Sequence, residues 1–88
     1  MIKLYSYCPT LDLHGYDREY ARIAINEFIE DNYRCKNQRV IIIHGIGTGI
    51  LRKITQETLK KNRIVDSFKI DNFNSGETVV ELKKSIDK

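Results

Sequence analysis

Apolar and polar positions alternate with different periods along this chain, and each change of period marks a new element. Leu11 and Leu13 alternate with Asp12 and His14, the two-residue period of a half-buried strand, and Gly15 ends it. Asp17 is placed to cap a helix in which Ala21, Ala24, Ile25, Phe28, Ile29 and Tyr33 recur at helical spacing. That helix runs to about Arg34, with Arg18, Arg22, Asn26 and Glu30 on its outer face. Cys35-Lys36-Asn37 is a polar break. The β-branched run from Arg39 through Val40, Ile41, Ile42 and Ile43 to His44 predicts a strand buried on both faces. Gly45-Ile46-Gly47-Thr48-Gly49 reads as a loop. A second helix then runs from Ile50 to Lys61, with Ile50 or Leu51, Ile54 and Leu59 as its core stripe. Ile64 to Ile70 predicts a third strand, Asn72 to Gly76 a turn, and Thr78 to Leu82 a fourth strand closing a hairpin.

The resulting order, β-α-β-α-β-β, is an α/β domain with two crossovers and a four-stranded mixed sheet carrying two helices. The pattern leaves open whether the helices cover one face of the sheet or both. With 88 residues and no internal repeat, the chain holds one domain. An extended arm is expected over residues 1–9, the domain over 10–84 and a short tail over 85–88. Alternation of Ile2 and Leu4 in the arm suits an added strand or a dimer contact.

Composition narrows the setting more than the chemistry. The chain is 41% hydrophobic and 31% charged, ordinary for a soluble domain, and no apolar run could cross a bilayer. The amino terminus lacks the features of a signal peptide, so the expected compartment is the cytoplasm. Cys8 and Cys35 are too far apart for a zinc pair, and both are expected as reduced thiols. The net charge of +3 permits a phosphate-bearing partner, and Lys60-Lys61-Asn62-Arg63 and Lys83-Lys84 are local basic clusters.

Two constellations carry candidate chemistry. Asp12 and His14, two apart on a strand, would share a face at its carboxyl end, where a carboxylate and an imidazole can orient each other and activate a water. His44-Gly45-Ile46-Gly47-Thr48-Gly49 sits between a buried strand and a helix. Its glycines allow close backbone approach, and the amides opening the helix form an anion site to which Arg52 can add a charged fork. The glycine spacing does not fit a dinucleotide fingerprint, and no Gly-Lys-Ser/Thr is present for a nucleoside-triphosphate loop.

Taken jointly, Thr10-Leu11-Asp12-Leu13-His14-Gly15, His44-Gly45-Ile46-Gly47-Thr48-Gly49 and the closing Gly76-Glu77-Thr78-Val79-Val80-Glu81-Leu82-Lys83 resemble the Smr (small MutS-related) domain. That domain is found alone and at the carboxyl end of MutS2 proteins. The resemblance runs from about Pro9 to Lys83. It implies nucleic-acid binding and, in many members, endonuclease activity on RNA or DNA. It also implies Asp12 and His14 as the first-strand active-site motif, and His44, Gly45, Gly47, Thr48 and Gly49 as the motif holding the phosphate backbone. The sequence departs from the family at Asn72-Phe73-Asn74-Ser75-Gly76, a hairpin loop shorter and less glycine-rich than in MutS2-type members.

On this basis His14 is expected as general base oriented by Asp12, His44 as the acid protonating the leaving oxygen, and Gly45, Gly47, Thr48, Gly49 and Arg52 as the phosphate-binding set. A two-metal centre is not expected from the single carboxylate placed there, while one Mg²⁺ or Mn²⁺ stays open. So does a non-catalytic RNA- or DNA-binding module acting for a partner protein, with Tyr5, Tyr7 and Tyr16 stacking on bases. A third alternative, an enzyme for a phosphorylated small molecule, needs a closed pocket that a dimer could supply. A protein partner and a homodimer are both left open.

Overall fold

The computed structural model of the chain describes residues 8–84. The expected tail, and the arm apart from Cys8 and Pro9, lie outside the described residues, as do Ile2, Leu4, Tyr5 and Tyr7. The order is β1 (Thr10–Asp12), α1 (Arg18–Arg34), β2 (Arg39–Ile43), α2 (Ile50–Lys61), β3 (Val65–Asp71) and β4 (Asn74–Leu82). The strands form one sheet in the order β1-β2-β4-β3, with β1 parallel to β2 and both other pairings antiparallel.

Both helices share one face. Ala21, Ile25 and Ile29 of α1 and Ile54 and Leu59 of α2 join Leu13, Val40, Ile42, Val80 and Leu82 in a single core cluster. Sequence periodicity leaves that choice open, and the contact between α1 and α2 settles it as a two-layer domain. On the other face Ile41 and Val79 are buried as well, while Arg39 Nε meets Glu81 Oε2 at 2.6 Å. The core of α2 also takes in Thr55 and Thr58, which hydropathy passes over; Thr55 Oγ1 stays satisfied by donating to the Leu51 carbonyl at 2.8 Å. Ile50 is exposed and Leu51 takes the half-buried position.

Local chemistry fixes the element ends. The Asp17 carboxylate accepts the Tyr20 N–H at 2.8 Å and caps α1. Buried Asn32 donates to the Phe28 carbonyl and accepts from Asn37 Nδ2, pinning the polar break to the helix it follows. Two strands differ from the periodic expectation. β1 is three residues long, because the chain turns at His14 and Gly15. β4 begins at Asn74, leaving a turn of only Asn72 and Phe73. Lys36 has the only positive φ of a non-glycine residue among the described residues, so this turn is not of the type with both central residues left-handed. The hairpin instead absorbs its twist in a register shift between Ile70 and Asp71. No helix among the described residues is long and apolar enough to cross a membrane.

Candidate functional site

The topology gathers three chain segments at one edge of the sheet. β1 and β2 end there, α1 and α2 begin there, and the β3–β4 turn lies there because β4 runs opposite to β2. The residues concerned are Asp12 to Tyr16, His44 to Arg52 and Asp71 to Glu77.

Asp12 and His14 meet differently from two neighbours on a strand. His14 is in a turn, and Asp12 Oδ1 accepts the His14 backbone N–H at 2.9 Å. The Tyr16 N–H donates to the Leu13 carbonyl at 3.0 Å, and Gly15 takes φ +81°, completing the reversal. The carboxylate therefore orients His14 through the backbone, while the imidazole stands exposed at the edge. Leu13 remains tied to β2 through its N–H and the Ile43 carbonyl, 2.9 Å.

His44 is placed otherwise. It is only 7% exposed, with Nε2 2.8 Å from Thr78 Oγ1 and Nδ1 3.0 Å from the Gly45 carbonyl oxygen. Register pairs Asp12 with Ile43, so His44, one residue on, leaves the sheet on the opposite side from Asp12. Burial pushes the His44 imidazole below its ordinary value and the Arg52 charge adds to that, against the Gly45 carbonyl and the Glu77 carboxylate, which favour the proton. His44, expected as the acid for the leaving oxygen, thus lies at the same sheet edge with its ring turned inward against β4 and both ring nitrogens engaged.

The glycine loop is anchored and open. The Gly76 carbonyl accepts N–H groups from both His44 and Gly45 at 2.9 Å, fastening the loop to β4. A Cβ at Gly76 would crowd Asn74 Oδ1 at 3.2 Å and touch the Gly45 backbone at 3.4 Å, an ordinary contact distance. Gly45 and Gly49 have φ of +77° and +85°, which favour glycine. Gly47 has neither constraint: its φ is not positive, and a Cβ there would meet nothing within 4 Å. Gly49 is the N-cap of α2 and gives no side-chain hydrogen bond; the Thr48 hydroxyl reaches the Ile50 N–H only at 3.4 Å. The helix therefore opens toward solvent with its dipole behind it.

Sequence reasoning placed Arg18, Arg22 and Asn26 on an outer helix face and Lys61 in a separate basic cluster, and did not bring them to grooves between the helices. Arg18, Lys53 and Glu57 line a groove between the helices with Ile50 and Ile54, and past Glu57 a second one continues along Arg22, Asn26, Thr58 and Lys61. Since both helices start at the same edge, first-turn cations surround it, a signal legible once the topology is known. Among the described residues no three of His, Cys, Asp and Glu converge as metal ligands, so a divalent ion here would draw most of its ligands from phosphate and water. Tyr16 is half-buried against the core, its ring 4.5 Å from that of Tyr20, which is exposed. Cys8 and Cys35 are free thiols.

Comparison with known proteins identifies the family and the fold. Residues 11–83 match the family model of the Smr domain. The chain is 39% identical over 85 residues to "Endonuclease MutS2" of Clostridium acetobutylicum, covering 93% of this chain and 11% of that protein. It is 46% identical over 76 residues to the protein of the same name from a Geobacillus species, covering 83% and 10%. It therefore spans about a tenth of the length of these relatives. The crystal structure of the Smr domain of Thermus thermophilus MutS2 superposes with a TM-score of 0.82 at 28% identity, covering 85% of this chain and 98% of that one. YdaL, a stand-alone small MutS-related protein from Escherichia coli, gives 0.81 at 25% identity, covering 85% and 64%. Motifs, topology and these matches agree, and the chain belongs to the Smr domain family.

Proposed function

We propose that this domain binds RNA or DNA along the shared edge and cleaves a phosphodiester bond there. The observation that carries the reading is the glycine loop itself. Gly47 is a glycine that neither backbone conformation nor crowding requires, and it stands in open space before an uncapped helix terminus, at the same sheet edge as Asp12 and His14. A phosphate resting on the amides from Gly47 to Leu51 explains it, with Thr48 and Arg52 adding contacts. The name "Endonuclease MutS2" borne by relatives supports the same reaction class.

In this reading exposed His14 takes a proton from an attacking water or ribose 2′-hydroxyl. Asp12 holds the turn that presents it, the P–O bond to the leaving oxygen breaks, and that oxygen takes a proton from solvent. Help of this kind is typically worth about 10²–10⁴-fold. His44 becomes a positioning residue, since both its ring nitrogens hold the loop and β4 together. Amides aimed at a developing oxyanion contribute about 3–4 kcal/mol each.

The test is a cleavage assay on labelled single-stranded RNA, single-stranded DNA, duplex and branched DNA, with EDTA, Mg²⁺ or Mn²⁺. Cutting by the parent and none by Asp12→Ala/His14→Ala, with folding kept, is the expected result. Bound but intact nucleic acid under every condition would replace the nuclease with a binding module. No binding at all would overturn both.

A further inference from the structure

We propose that Phe73, at the tip of the β3–β4 hairpin, stacks on an unpaired base flanking the bound phosphate, so that the substrate is single-stranded or carries unpaired nucleotides at the site. The inference rests on the nucleic-acid reading above and adds to it the part of the ligand that is not phosphate. Phe73 is 69% exposed in a turn whose neighbours Asn72, Asn74 and Ser75 are polar and exposed. It serves no core, and a turn of this kind asks for no aromatic side chain. Ile46, 71% exposed in the middle of the glycine loop, is a second apolar group on the same edge.

The placement is specific. Strand order β1-β2-β4-β3 puts the glycine loop between the His14 turn on one side and the hairpin tip on the other. One to two inter-strand spacings, about 5–10 Å, separate the end of β2, which carries the glycine loop, from the hairpin of β4 and β3. A base attached next to a phosphate held in the loop is therefore within reach of Phe73. Nucleic acids offer two surfaces, charged backbone and aromatic bases; the loop answers the first and Phe73 with Ile46 answers the second. In a duplex the base faces are stacked inside and unavailable to a side chain, which selects for unpaired nucleotides.

The tip is also held in place. Buried Asp71 accepts the Phe73 N–H through Oδ1 at 2.9 Å, and Asn74 Oδ1 accepts the Gly76 N–H at 2.9 Å. Gly76 in turn accepts from His44 and Gly45, so hydrogen bonds brace both sides of the turn and fasten its β4 side to the phosphate loop. A preformed platform loses little freedom when a base lands on it.

The chain has no tryptophan, so Phe73→Trp installs a single reporter at the tip. Its emission is titrated with short single-stranded RNA and DNA, an abasic strand of equal length, and a duplex. Saturable quenching by base-bearing single strands, absent with the abasic strand and the duplex, is expected. Phe73→Ala should weaken single-strand binding about ten-fold while leaving duplex binding and the circular dichroism spectrum unchanged. If Phe73→Ala binds single strands as the parent does, or the abasic strand quenches as well as the base-bearing one, the platform is refuted while the phosphate reading stands. If the parent binds no oligonucleotide, both fall together.

Discussion

Replacing Gly47 by alanine separates the needs of the fold from the needs of the ligand. The backbone at Gly47 has no positive φ, and the added methyl group would touch nothing within 4 Å. The folded state therefore incurs no strain, and the unfolded chain loses freedom. Gly→Ala at such a position stabilises by about 0.4–1 kcal/mol. At about 4–8 °C per kcal/mol for a domain of this size, Tm should rise by roughly 2–8 °C. Binding should move the other way. The methyl group stands where a phosphate must approach the loop, and losing one charge-assisted hydrogen bond is worth about 1.5–3 kcal/mol. That is roughly a 10- to 150-fold weaker Kd. The assay is thermal denaturation beside fluorescence anisotropy with labelled single-stranded RNA and DNA. Gly45→Ala and Gly49→Ala serve as contrasts, since φ of +77° and +85° should make each less stable by about 1–2 kcal/mol. A Gly47→Ala protein that is more stable and binds as tightly as its parent would refute the cradle. One that is less stable would refute the loop geometry.

The buried pair His44–Thr78 gives two further predictions. Thr78→Val keeps shape and burial but strands the Nε2 atom of His44, which should cost about 1–3 kcal/mol in urea denaturation; a loss below about 0.5 kcal/mol would mean that the bond is not sequestered. Because burial lowers the His44 value, the folded chain binds fewer protons than the unfolded one. Its contribution to stability is whole above the unfolded value of about 6.5 and falls as pH drops from there through the folded value. His44→Gln should flatten the decline in urea midpoint between neutral and mildly acid pH, and identical profiles for the two proteins would exclude this role. Asp17→Ala, which removes the cap of α1, should cost about 0.5–2 kcal/mol, read as a lower Tm with the circular dichroism spectrum retained.

What the sequence made legible follows the range of the forces involved. Helix α2 shows its full extent and α1 its cap, because capping and the 3.6-residue period are local. The β-branched run marks β2 for the same reason. The side of the sheet taken by each helix depends on contact between α1 and α2, which no single segment records. Asp12 and His14 stand out as a pair, but their link through the His14 N–H depends on the chain leaving β1 after Asp12, where a side-chain acceptor outcompetes the strand ladder. His44 is visible as a motif residue. Its inward orientation appears only when Thr78, far along the chain, arrives on the neighbouring strand. Thr55 escapes hydropathy because a helix lets a buried threonine satisfy its hydroxyl on the preceding turn.

The brevity of β1 has a consequence for the order in which this molecule comes apart. Three paired residues, joined in parallel to β2 across the whole of α1, close a long loop for few ladder bonds, whereas the β3–β4 hairpin closes a short one for many. The segment carrying Asp12 and leading to His14 should therefore join the sheet late in folding and leave it first. Its amides would exchange with solvent deuterium through a sub-global opening well below the free energy that protects Val40 to Ile42 and Val79 to Leu82. A ligand bridging His14 and the glycine loop would close that gap, so protection of β1 reports occupancy of the site more directly than any change in the core.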